Sequence, residues 1–163
     1  MTRLCRVVAL AIVIMPGPAP ADSCGDEDSA PPHPSYVEAK VAIDEKRYAA
    51  ALPLLQQVLA QNSGDANAHN LLGFAYRKTG NLDAAFKHYS TALRLNPDHR
   101  GAHEYMGEAY LMVKNLAKAQ EHLRVLDRLC KLPCEEQIDL QKAVETYKAG
   151  RKRGAAHDGR RQR

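Results

Sequence analysis

No stretch of this sequence is long and apolar enough to span a bilayer. The longest apolar run, Val7 to Met15, has about nine residues, where a spanning helix needs about 20. That argues against a retained membrane anchor. The chain also lacks a Gly-rich phosphate loop, a His-Glu-x-x-His motif and a nucleophile beside an identifiable base. It therefore carries no recognisable enzyme constellation, and no cofactor is implied. Glu104, Glu108 and Glu121 read as solvated or groove-lining charge. A basic body is missing as well. Of the 23 Lys/Arg, two lie in 1–21 and six in 150–163, while one of the 19 Asp/Glu, Asp158, lies in that last segment. The 15 and 18 that remain give the middle of the chain a net charge of −3, against +4 for the whole. Folded nucleic-acid binders carry positive charge on their bodies, so no nucleic-acid partner is expected.

What is present divides into segments. Residues 1–21 have the form of a secretory signal peptide: Arg3 and Arg6, then the apolar run, then Ala19-Pro20-Ala21 as a small-residue cleavage site. This predicts an exported protein, periplasmic or secreted, cleaved after Ala21. Cys24 offers a second reading, as the acylated first residue of a lipoprotein. It is preceded by Ala21-Asp22-Ser23, where such signals place Leu three residues earlier and no Asp, and it lies far beyond the apolar run. Residues 22–34 read as a flexible leader. Residues 150–163 read as a disordered basic tail with too few apolar groups to offset ordering entropy, and any membrane contact would be made by this tail. The remaining 35–149 is the size of one domain.

Within it the sequence repeats at an offset of 34. Gly73 returns as Gly107, Tyr76 as Tyr110, His69 as His103 and Asn81-Leu82 as Asn115-Leu116; Ala51, Ala85 and Ala119 form a series. That period specifies a helix–turn–helix array, here about 32–65, 66–99 and 100–133. Asp65, Asn81, Asp98 or His99, and Asn115 are candidate N-caps, and Gly80 suits a left-handed C-terminal turn. The first unit opens on Ser35-x-x-Glu38, a capping-box spacing, and turns near Lys46-Arg47. Pro53 falls early in its second helix. After Pro133, Leu140, Ala143, Val144 and Tyr147 make an apolar stripe on a helix over 135–149, suited to capping the open end of a stack.

These residues resemble the tetratricopeptide repeat family. Its pattern of Trp, Leu-Gly, Tyr, then Ala and Phe, then Pro is met in the middle unit by Leu72, Gly73, Tyr76, Ala85, Tyr89 and Pro97. His69 stands in the Trp position, and the chain has no Trp. The third unit keeps Gly107, Tyr110 and Ala119; the first keeps little beyond Ala51. The resemblance covers about 32–133. It implies an all-α right-handed array of three helix pairs plus the C-terminal capping helix, of a small exported bacterial type.

The family lines a concave groove with the first helix of each pair. Here that places Tyr36, Lys40, Asn67, Asn70, Phe74, Arg77, Lys78, Glu104, Glu108 and Leu111 on or near the groove. Well-known members grip a peptide's terminal carboxylate with Lys, Asn and Arg. Asn70 fits that role, but Glu104 and Glu108 stand where the clamp has basic residues, so a segment of mixed or basic character suits better. Asn70, Phe74 and Arg77 are expected to contribute most to binding, with truncation of Phe74 and Arg77 leaving stability intact.

Cys130 and Cys134 flank Lys131-Leu132-Pro133. In an exported protein, paired cysteines default to a disulfide. Free thiols and redox or metal chemistry are the alternatives, the redox one at odds with the two-residue spacing of thioredoxin-like motifs. His99 and His103 are four apart, a chelating spacing if both lie on one turn, but His103, like His69, stands in the Trp position and reads as packing, and His99 reads as a loop or cap residue, so no metal site is assigned. The reading is an interaction adaptor or scaffold in the bacterial periplasm that binds a protein or peptide segment. An assembly factor for an exported metalloprotein or cytochrome, and a structural subunit of an envelope complex, are the other roles open to it.

Overall fold

The computed structural model describes residues 33–161. The expected signal peptide, Cys24, the leader up to residue 32 and the last two residues lie outside them. Seven helices run through the described residues: α1 (Pro34–Asp44), α2 (Tyr48–Gln61), α3 (Ala66–Lys78), α4 (Leu82–Leu95), α5 (Arg100–Met112), α6 (Leu116–Leu129) and α7 (Glu135–Arg161). The first six pack as successive pairs, each pair against the next, and α7 closes on α5 and α6. The architecture is the all-α array that the period of 34 implies.

Polar side chains cap the starts of α3, α4, α5 and α6. Asp65 accepts from the Ala68 N–H at 2.9 Å, Asn81 from Ala84 at 3.1 Å, His99 from Ala102 at 3.2 Å and Asn115 from Lys118 at 3.1 Å. Each satisfies a first-turn N–H that has no intrahelical acceptor. Of the two candidates for α5, His99 is the cap. The first helix corrects its expectation. Ser35 and Glu38 do not form the box; His33 is the N-cap, its Nδ1 accepting from the Ser35 N–H at 3.1 Å. Pro34 takes the first helical position, where its missing N–H costs nothing.

The turn inside each pair passes through the left-handed region at equivalent positions: Lys46 (φ 61°), Gly80 (φ 89°) and Lys114 (φ 62°). Only the middle unit places glycine there, where it is free of Cβ strain.

The core is built largely from alanine. Ala39, Ala42, Ala51, Ala75, Ala85, Ala109 and Ala119 are all buried, with Leu55, Leu72, Tyr89, Leu126 and Leu140 filling the space between backbones. At Gly73 α3 approaches α4 tightly: a Cβ there would sit 2.7 Å from the Tyr89 ring and 3.2 Å from the Ala85 carbonyl. Gly107, its counterpart, serves a different neighbour. Its Cβ would meet Leu140 of α7 at 2.6 Å. The residue equivalent to Tyr89 is the shorter Leu123, and the terminal helix supplies the side chain that seals this glycine.

That terminal helix runs on to Arg161 instead of stopping at 149. The segment read as a disordered tail continues the helix, at least in its backbone. Its alanine, lysine and arginine favour a helix, while Gly150, Gly154 and Gly159 disfavour one. Cys130 caps the end of α6 and Cys134 directly precedes α7. Their disulfide, with Cα atoms 5.9 Å apart, ties the two helices across the linker. Pro53 lies inside α2 on its exposed side.

Candidate partner-binding groove

The first helices of successive units lie side by side, α3 touching α5 and α5 packing on α7. The ten expected groove residues divide on this face. Lys40, Asn67 and Lys78 are exposed; Tyr36, Phe74, Glu108 and Leu111 are half-buried; Asn70, Arg77 and Glu104 are buried. Tyr36 packs on the core shared by α1, α2 and α3.

Arg77 organises the centre. It is 7 % exposed, with Nη2 lying 2.7 Å from Glu108 Oε2 and Nε donating to the Tyr89 hydroxyl at 3.3 Å. Its guanidinium lies 5.3 Å from the ring centre of Phe74 and 5.5 Å from that of Tyr105, both within cation–π range. Phe74 is itself wedged between Tyr48 and Tyr105, at 5.9 and 4.8 Å between ring centres, with the Lys78 ammonium at 5.1 Å. The structure thus brings Phe74, Arg77, Lys78 and Glu108 together and leaves Tyr36, Lys40 and Asn67 apart from them. Arg77 is engaged within the fold and is not an open ligand for a partner.

Acid accumulates toward α7. Glu104 is 8 % exposed, and burial, with Glu108, Asp139 and Glu136 nearby, pushes its carboxyl up to about 8. Tyr105 beside it is pushed up to about 12, first by burial and then by Glu104. A hollow of about 220 Å³ opens here, lined by Gly101, Glu104, Tyr105, Glu135, Glu136 and Asp139. Next to it, between α5 and α7, a cleft of about 560 Å³ has Leu111, Met112 and Tyr147 among its walls and Glu108, Asp139 and Lys142 among its polar groups. Tyr105 and the α7 residues escaped the sequence reading. Tyr105 aligns with Leu71 at the repeat offset, and α7 has no earlier copy to align with.

His99 and His103 do not converge on one point. His99 turns Nδ1 to its own helix, whereas His103 Nε2 meets the Pro97 carbonyl at 2.9 Å. The close approaches are His69 with His88, 3.0 Å between Nδ1 atoms, and His103 with His122, 2.9 Å. Since His69 Nε2 faces the Ser63 carbonyl at 3.2 Å, each pair reads as a donor on the second helix and an acceptor on the first. Tyr76 stacks on His88 and Tyr110 on His122. The unit that replaces the family's Trp is this repeated His–His–Tyr contact.

Residues 66–99 match the family model of the tetratricopeptide repeat. Together with the seven-helix architecture, that defines the fold class: the chain folds as a tetratricopeptide-like helical repeat array. Among solved structures, MamA from Desulfovibrio magneticus RS-1 is 31% identical with a TM-score of 0.54, over 57% of this chain and 53% of its own. The match therefore spans about half of that MamA chain. The type III secretion translocator chaperone SycD of Yersinia enterocolitica is 20% identical, TM-score 0.64, over 72% of this chain and 83% of its own. The same chaperone in complex with a peptide of the translocator YopD is 19% identical, TM-score 0.62, over 72% and 92%. The likeness to SycD is one of fold. No curated protein matches the sequence.

Proposed function

We propose that the protein is a non-enzymatic adaptor that holds a segment of another protein along the face formed by α3, α5 and α7. The observation that carries this is the cleft between α5 and α7. It combines apolar walls at Leu111, Met112 and Tyr147 with polar groups at Glu108, Asp139 and Lys142, the mixture typical of a recognition site. Phe74 and Tyr105 extend the apolar strip across to α3. SycD, of the same fold, has been solved with a peptide of its translocator bound, which supports a segment as the ligand. The place of action is the bacterial periplasm. Support comes from the signal-peptide pattern of 1–21 and from the Cys130–Cys134 disulfide, a bond that persists in oxidising compartments.

Photo-crosslinking in the native host tests the face. A benzophenone side chain at Leu111 or Met112 should trap a protein that one at Arg124, exposed on α6, does not. Trapping from Arg124 alone would move the binding surface to the other side of the array.

A further inference from the structure

We infer that the hollow between α5 and α7 is the socket for a lysine or arginine side chain of the bound segment. This rests on the groove reading above and specifies the partner's chemistry at that site. Glu104, Glu135, Glu136 and Asp139 all line the hollow. Among the described residues the ion pairs nearby are Arg100 with Glu136 at 3.7 Å and Arg77 with Glu108. Glu135 and Glu136 have a local reason to be acidic, since they occupy the first turn of α7 and complement its dipole. Glu104 and Asp139 have none.

Glu104 is the second, independent sign. More than nine-tenths buried, it opens onto the hollow and makes no hydrogen bond or ion pair with any described residue. Ionising a carboxyl at this depth is costly, and here it faces other carboxylates. Asn70 adds to the deficit. Its amide lies 3.2 Å from where a Cβ on Gly101, in the wall of the hollow, would sit, and its buried Oδ1 has no donor. Asn70 Oδ1 thus lacks a donor beside the hollow, and an entering ammonium or guanidinium supplies several N–H groups and the positive charge that lets Glu104 give up its proton. Tyr105 offers the incoming cation an aromatic wall. Burial and the neighbouring acids hold Glu104 up to about 8, a cost that a bound cation would reverse.

The full chain is incubated with an array of short synthetic peptides of randomised sequence, beside the variant Glu104→Gln/Asp139→Asn. Both changes are near-isosteric and remove repulsion, and a melting temperature no lower than that of the unaltered protein confirms that the variant is folded. Peptides captured by the unaltered protein should be enriched in Lys and Arg. The variant should bind those peptides about tenfold or more weakly, as losing a buried charge partner does, and neutral ones within about twofold. Capture without Lys/Arg enrichment, or enrichment that survives in the variant, overturns the socket and leaves the groove standing. Capture of no peptide at all overturns the groove reading and the socket with it. Calorimetry with calcium chloride alone is the last arm: calcium binding lost in Glu104→Gln would make the hollow a metal site and overturn the inference.

Discussion

Arg77 meets three demands with one side chain. It neutralises Glu108, gives the buried Tyr89 hydroxyl a donor, and fills the space between the Phe74 and Tyr105 rings. Truncating it leaves a partly buried carboxylate and a buried hydroxyl without partners. Breaking a fully buried pair costs about 3–5 kcal/mol, and the partial exposure of Glu108 brings the expected loss to about 2–3 kcal/mol. Arg77→Ala should therefore lower the urea midpoint clearly, contrary to the expectation that it acts in binding alone. A midpoint unchanged by the substitution would return Arg77 to the groove. The left-handed turn residues make the opposite case. Lys46 and Lys114 carry a Cβ where their equivalent, Gly80, carries none. Changing each to glycine should raise stability by about 0.5–1 kcal/mol, with the two gains additive because the sites are distant. Urea denaturation of the singles and the double checks both statements.

At the scale of elements, α3 and α5 were legible because Gly73, Tyr76, Gly107 and Tyr110 stand at one spacing in both. The repeat exposes what the units share. The site is made of what they do not share: at the same offset Asn70 becomes Glu104, Phe74 becomes Glu108 and Arg77 becomes Leu111. No periodic comparison can pair Arg77 with Glu108, since the contact runs between unlike positions of neighbouring units. The helix ends were misjudged where two local signals competed. His33-Pro34 and Ser35-x-x-Glu38 are both sound starts for α1, and a run of arginines is compatible with either a solvated tail or a continued helix. Pro53 was placed correctly because proline constrains the backbone by itself. Inside α2 it removes the N–H that would reach the Ala49 carbonyl. Pro53→Ala should stabilise the protein by about 1–2 kcal/mol, the helix gain less the entropy that proline removes from the unfolded chain. Thermal melting measures this, and a loss of stability would mean the ring makes a contact that alanine cannot replace.

For the whole molecule, pH acts through two sets of groups with opposite signs. Burial, then the neighbouring histidine, holds His88 and His122 down at about 4, and burial lowers His99 and His103 as well. Between about 4 and the ordinary value of 6.5 the unfolded chain therefore binds more protons than the folded one. Stability rises with pH through that window and is lost on acidification. Glu104 works the other way. Its carboxyl is raised from 4.5 to about 8, so the folded chain holds the extra proton across that range and stability falls as pH rises through it. Where the windows overlap, four histidines oppose one glutamate, and the histidines should prevail. Above 6.5 only the glutamate term remains. The melting temperature should accordingly peak just below neutrality and decline on both sides. Each limb has its own variant. His88→Gln with His122→Gln removes two of the four histidine contributions and should flatten the acid limb while sparing the other, and Glu104→Gln should flatten the alkaline limb and steepen the acid one. Circular dichroism melts from pH 4.5 to 8.5 read both. An acid limb that stays as steep in the histidine double variant would mean that the repeated His–His contacts do not set the response of the array to pH.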